Sequence, residues 1–248
     1  MRRIKQWVVF MLRVYSVGIY SLEAKVPPML ETVVIESKPA PRHAVIWMHG
    51  LGADAHDFEP IVPELLRANW PGVRFVFPNA PMRPVTVNSG YVMRAWYDIA
   101  GNDIAARQDE PGLKASRTAI EALIGAQVKL GVESEHIYLA GFSQGAAMSL
   151  YVALRHATAL GGVIALSGYL PLGAQTASEA HDANLKTPIF MGHGTQDQVV
   201  PEALGRRSAD ALKGWGYEVD YRTYPMAHSV SPQEIADVSA WLGARLSR

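Results

Sequence analysis

From Thr32 onward, short apolar runs alternate with stretches of helical period. Val33-Val34-Ile35, Ala44 to Met48, Val73 to Phe77, Ile137 to Ala140, Gly162 to Leu166, Pro188 to Met191 and Val219 to Tyr224 read as strands. Helices are predicted over Asp57 to Ala68, over a long segment with Ile120, Leu123, Ile124 and Val128 on one face, over Gln144 to Ala157, and over Glu202 to Leu212. A last helix is marked by Ser231 as cap, Pro232 at its first position and Glu234 completing a capping box. Its apolar face is Ile235, Val238, Trp241, Leu242 and Leu246. Residues 79–108 carry no regular period. Strands alternating with helices imply an α/β fold, a mostly parallel sheet covered on both faces. The strands are rich in Val, Ile and Leu, as burial on both faces requires.

The chain has 248 residues, of which 49% are hydrophobic, enough for one large domain with its own core. It has no cysteine, which excludes disulfides, zinc-thiolate sites, iron–sulfur clusters and a cysteine nucleophile. Twenty-three basic side chains balance twenty-three acidic ones, but unevenly. Residues 1–28 carry Arg2, Arg3, Lys5, Arg13 and Lys25 against Glu23, so the remaining body is net acidic. A body of that sign argues against nucleic acid as a partner, since phosphate binding needs clustered cations.

Residues 1–28 start like an export signal, a basic start followed by apolar residues. Arg13 interrupts the run, however, and neither apolar stretch approaches the roughly 20 residues of a membrane span. No small-x-small cleavage site follows. These residues are expected to form an N-terminal extension to a domain over 29–248, with Met29 an alternative start. A cytoplasmic protein without a stable membrane span is expected. The sequence does not specify an oligomeric state.

Gly141-Phe142-Ser143-Gln144-Gly145 matches G-x-S-x-G, with a strand running in and a helix running out. A nucleophile elbow requires that context; the competing reading is a serine that merely caps the helix. A serine hydroxyl needs a base, and on this type of sheet the partners follow in the order Ser, Asp or Glu, His, in loops after later strands. Asp197, in Gly192-His193-Gly194-Thr195-Gln196-Asp197, and His228, in Pro225-Met226-Ala227-His228, occupy such loops. His228 is the only histidine after Asp197. Asp210 and Asp220 fall within helix and strand patterns and read as surface charges, and His193 reads as shaping the Asp197 loop. For the oxyanion hole, one donor is expected from the Gln144 N–H and the other from Leu51 in His49-Gly50-Leu51-Gly52. Substrate-wall candidates are Leu51, Met93, Trp96 and Leu170, each of which also suits the core. Neither H-E-x-x-H nor a helix-opening G-x-G-x-x-G is present, so neither a metal nor another cofactor is expected.

Together, HGLGAD (49–54), RAWYDI (94–99), AGFSQGAAMSL (140–150), GHGTQDQVVP (192–201) and YPMAHSV (224–230) resemble the phospholipase/carboxylesterase family. The resemblance spans about residues 29 to 246. It implies an α/β-hydrolase fold without a large cap domain, with Ser143, Asp197 and His228 as the triad and Leu51 and Gln144 at the oxyanion positions. It also implies hydrolysis of small esters with short to medium acyl chains, of thioesters or of lysophospholipids. The alternative on the same scaffold is a lactone or carbon–carbon bond hydrolase.

Overall fold

The computed structural model describes residues 29–101 and 108–247, which leaves the N-terminal extension outside the described residues. In chain order the strands are β1 (Thr32–Glu36), β2 (His43–Met48), β3 (Val73–Pro78), β4 (Met82–Val85), β5 (Tyr91–Arg94), β6 (Ile137–Phe142), β7 (Gly162–Leu166), β8 (Ile189–Gly194) and β9 (Val219–Tyr224). The helices are α1 (Val62–Leu65), α2 (Glu110–Lys129), α3 (Gln144–Ala153), α4 (Gly173–Glu179), α5 (Glu202–Gly214) and α6 (Pro232–Leu246). Among the described residues one seven-stranded sheet runs β1-β3-β2-β6-β7-β8-β9. Within this sheet only β1 is antiparallel to its neighbour; the other pairings in it are parallel.

The alternation along β2 shows how the sheet divides the core. Ala44, Ile46 and Met48 point to the layer holding Leu113 of α2, Leu150 of α3 and Leu212 of α5. Val45 and Trp47 point to the opposite layer, with Leu65 of α1 and Val238 and Trp241 of α6. With both faces covered, all six residues of β2 are buried, as expected for a central parallel strand. Helix α3 lies deep in the first layer, and each of its ten residues is buried. Helix α2 is stopped at its start by Asp109, which accepts the Gly112 amide at 3.0 Å, with Pro111 in the first turn where no donor is needed.

The helix expected over residues 57–68 is not formed. A 3-10 turn at Glu59–Ile61 leads into the four residues of α1, and Leu66 turns extended at φ −65, ψ 141. Pro60 and Pro63 each remove a backbone donor, so no continuous hydrogen-bond ladder can build there. The stretch expected to be irregular holds the hairpin β4–β5, turned through Ser89 at φ 56 and Gly90 at φ 77. Val128 is 47% exposed, and Gln127 takes the inward position instead, because the 3.6-residue period brings 127 beneath Leu123 and Ile124. Helix α4, which buries only Thr176, carries too short an apolar stripe to stand out in the sequence.

At α6 the expected cap forms on one side: the Ser231 hydroxyl accepts the Glu234 amide at 3.2 Å. The reciprocal carboxylate bond does not form. The Glu234 side chain is fully buried, and among the described residues neither of its oxygens has a hydrogen-bond partner. It rests on β8 where Gly192 leaves room; a Cβ there would meet Oε1 at 2.2 Å. Burial pushes this carboxyl up to about 8, the nearby Ser231 backbone opposing in part without a formed hydrogen bond and the Asp237 charge adding to the shift. The folded state therefore holds a proton that the unfolded chain releases near 4.5, the ordinary value. Stability should then be lost as pH rises from about 4.5 to about 8, by up to about 1.4 kcal/mol per pH unit. Glu234→Gln should melt at the wild-type temperature at about pH 4.5 and several degrees above it at pH 8. Thermal melts across that range check this; a constant difference at all pH values would contradict it.

Candidate active site

Ser143 stands between β6 and α3 with φ 54 and ψ −116, a left-handed conformation that costs a non-glycine residue energy. Packing on both sides enforces the turn. A Cβ on Gly141 would lie 2.3 Å from the Gly145 carbonyl carbon, and one on Gly145 would lie 2.1 Å from the Met48 carbonyl oxygen. The two glycines thus let α3 pack onto its own strand and onto the end of β2. The Ser143 amide donates to the Leu166 carbonyl at 2.9 Å, extending the β6–β7 pairing to the turn. Its hydroxyl makes no cap bond to α3, so the reading of Ser143 as a plain helix cap does not describe this turn.

The hydroxyl instead faces His228. Ser143 Oγ and His228 Nε2 lie 2.9 Å apart, and His228 Nδ1 lies 2.6 Å from Asp197 Oδ2. Parallel strands carry all three residues to one edge of the sheet: Ser143 follows β6, Asp197 follows β8 and His228 follows β9. A carboxylate only accepts, so its partner Nδ1 carries the imidazole proton and Nε2 is left to accept from the hydroxyl. Asp197 is held in turn. Its other oxygen accepts the amides of Val199 and Val200 at 2.9 and 2.8 Å, and its carboxylate is wholly buried. His193, at 1% exposure, donates from Nε2 to the Val200 carbonyl at 2.8 Å and lies 3.5 Å from Asp197 Oδ2. Burial holds the His193 imidazole below its ordinary pKa, hence neutral at pH 7. The ring of Phe142 covers His228 at 4.7 Å between centroids.

Beside this row runs the loop after β2. A Cβ on Gly50 would lie 3.5 Å from the Ser143 Cβ, so the backbone leading into Leu51 passes alongside the hydroxyl-bearing residue. Gly52 adopts φ 78, and its amide donates to the Arg94 carbonyl at 2.9 Å. Leu51 is half-buried, and Gln144 opens α3 directly after Ser143. Trp96 is a correction: at 0% exposure its side chain offers no surface to a substrate. Its indole is held inside, donating to the His49 carbonyl at 2.9 Å. Leu170, at 8% exposure, sits at the border of the core layer that also holds Tyr169. Tyr169 in turn bonds Tyr97 hydroxyl to hydroxyl at 2.8 Å. The competing acids lie elsewhere: Asp220 pairs with Arg222 at 2.9 Å, and Asp210 is exposed on α5.

The model of the phospholipase/carboxylesterase family matches residues 30–246. The chain belongs to that family and has its α/β-hydrolase fold, among the described residues without a large cap. It is 40% identical to acyl-protein thioesterase 1 of Gibberella zeae over 211 residues, covering 82% of this chain and 90% of that one. It is 39% identical to acyl-protein thioesterase 1 of Debaryomyces hansenii, covering 83% of this chain and 91% of that one. Among solved structures it resembles Arabidopsis thaliana SOBER1, with TM-score 0.78 and 31% identity over 83% of this chain and 99% of that one. It also resembles Zea mays acyl-protein thioesterase 2, with TM-score 0.77 and 29% identity over 88% of this chain and 99% of that one.

Proposed function

We propose that the protein is a serine hydrolase that cleaves carboxylic esters and thioesters through an acyl-enzyme on Ser143. The observation that carries this reading is the unbroken chain from Asp197 through His228 to the Ser143 hydroxyl, with spacings of 2.6 and 2.9 Å. His228 Nε2 takes the hydroxyl proton as Oγ bonds to the substrate carbonyl carbon. The carbonyl electrons move onto oxygen, and the backbone N–H groups of Leu51 and Gln144 hold that oxyanion. His228 returns the proton to the departing alcohol or thiol as the carbon–oxygen or carbon–sulfur bond breaks. Water then repeats the sequence on the acyl-enzyme, releasing the acid and restoring Ser143. Asp197 keeps the imidazole in the accepting tautomer and stabilises it once charged.

The likeness to acyl-protein thioesterases supports thioesters as well as oxygen esters among the substrates. Leu51 and Leu170 are the side chains we assign to the acyl chain. Residues 29–248 are taken as the hydrolase domain and residues 1–28 as an extension that takes no part in the chemistry. We take the site of action to be cytoplasmic; among the described residues no helix is long and apolar enough to cross a membrane. The test is a panel of p-nitrophenyl esters and matching thioesters from acetyl to palmitoyl. Turnover of both classes is expected, with kcat/KM highest for short to medium chains. Neighbouring chain lengths should differ by no more than about 10- to 200-fold, the range an apolar pocket supplies per methylene. Failure to turn over any member would contradict the reading.

A further inference from the structure

The first turn of α3 and the loop after β2 are joined by one buried residue. The Gln144 side chain does not point to the reaction centre. Its Oε1 accepts the Trp96 amide at 2.7 Å, and its Nε2 donates to the Tyr97 carbonyl at 2.7 Å. Both ends of the amide are therefore spent on consecutive backbone groups, which fixes the orientation of the side chain. From there the Trp96 indole crosses to the other loop, its Nε1 donating to the His49 carbonyl at 2.9 Å. The Trp96 carbonyl is itself held by the Ser116 hydroxyl of α2. His49 completes the line. Its Nε2 accepts the Ala80 amide at 3.0 Å, so Nδ1 carries the proton and donates to the Gly50 carbonyl at 2.7 Å. Burial lowers the His49 pKa, in keeping with that neutral tautomer. Trp96, Gln144 and His49 are 0%, 3% and 2% exposed, so water does not compete for these bonds.

We propose that Trp96 is a positioning residue that fixes the separation and aim of the two oxyanion donors, Leu51 N–H and Gln144 N–H. This deepens the hydrolase reading and rests on it. The physical need is evident in the loop itself: Leu51 lies between two glycines, Gly50 and Gly52, so the local chain restrains its amide weakly. On the other side, the absent Cβ of Gly145 lets α3 close to contact with the Met48 and His49 carbonyls. Contact sets how near the two donors come; the His49 imidazole on the Gly50 carbonyl holds the peptide plane that carries the Leu51 N–H, and the indole bond to the His49 carbonyl holds the peptide before it and so the angle of the loop. Donors for a developing oxyanion act only when pre-aimed, because reorientation during the reaction would consume the gain. A tryptophan that only filled the core would also seek an acceptor for its N–H; what bears on the site is that the acceptor here is the carbonyl that leads into the donor loop.

The test uses Trp96→Phe, which keeps an aromatic ring and removes the N–H, and Gln144→Met, which keeps the backbone donor and severs the other half of the brace. Both are measured on the full chain with a p-nitrophenyl ester, after a thermal melt. Wild-type labelling of Ser143 by a fluorophosphonate, located by peptide mass, is the control for the hydrolase reading. If that labelling fails, the reading itself falls, whatever the variants do. With it in place, both variants should lose at least about tenfold in kcat, with KM changed less than about threefold. Their Ki for an alkyl trifluoromethyl ketone, which forms an oxyanionic adduct on serine, should rise by the same factor as kcat falls. The acid-limb midpoint of kcat/KM should not move, since the imidazole and its carboxylate are untouched. If one variant fails to melt cooperatively, the other carries the test. The proposal is overturned if kcat and the ketone Ki stay at wild-type values, if KM rises while kcat holds, or if neither variant folds, which would make the two residues core elements rather than a brace.

Discussion

Ser143→Ala is expected to lower kcat by roughly 10⁴- to 10⁶-fold while the protein keeps its fold. The large factor follows from the mechanism, since without Oγ there is no acyl-enzyme and His228 has nothing to activate. A residual rate above that in water should persist, because the Leu51 and Gln144 amides would still stabilise attack by water. The fold should survive for a local reason. The Ser143 side chain caps nothing, and among the described residues its one hydrogen-bond partner is His228. Alanine meets the same backbone strain at φ 54 as serine does. Steady-state rates on a p-nitrophenyl ester, with a melt of each preparation, check both parts. Activity within tenfold of wild type would remove Ser143 from the chemistry.

Asp197→Asn should cost about 10⁴-fold in kcat, the order found when this position is changed in other serine hydrolases. The surroundings of Asp197 supply the reason. One of its oxygens is committed to the Val199 and Val200 amides, at 2.9 and 2.8 Å. An asparagine must keep its carbonyl oxygen on those two donors, so its NH₂ turns to His228. The imidazole then accepts at Nδ1 and carries its proton on Nε2, where it can no longer take one from Ser143. The defect is one of tautomer rather than of binding, so KM should change little. A loss confined to KM, or one below tenfold, would mean that this carboxylate does not orient the base. The neighbouring His193 lies 3.5 Å from the same carboxylate and anchors its loop through the Val200 carbonyl.

The sheet and the three reactive residues were legible because parallel strands leave strong marks. Central strands such as Ala44 to Met48 are continuously apolar, and chemistry on such a sheet collects in the loops that follow the strands. Ser143, Asp197 and His228 each fall directly after a recognisable strand. The apolar spacing predicts a longer helix than α1 because it does not register the donors that Pro60 and Pro63 remove. The hairpin β4–β5 leaves no periodic mark in the sequence, because its strands are four residues each and exposed at Met82, Tyr91 and Val92, so no alternation of burial shaped them. The turn triplet Asn88-Ser89-Gly90 was the available signal. The sequence offers Trp96 as a substrate wall because a large aromatic in an irregular segment near a reactive loop suits either that role or the core. Its burial comes from long-range bonds to His49 and Gln144, which local spacing does not reveal. Glu234 shows the same limit: its capping-box position is evident in the sequence, but the recess over Gly192 that buries its carboxyl exists only once α6 packs on β8.

The most direct test of the central claim is to catch the acyl group on the enzyme. Mixing the protein with p-nitrophenyl butyrate, quenching in acid within the first turnover and digesting should give a peptide containing Ser143 heavier by one butyryl group. The adduct should be absent from Ser143→Ala and should accumulate with the first burst of nitrophenol. Turnover with no acylated peptide at any quench time, or with the acyl group on another residue, would contradict the account.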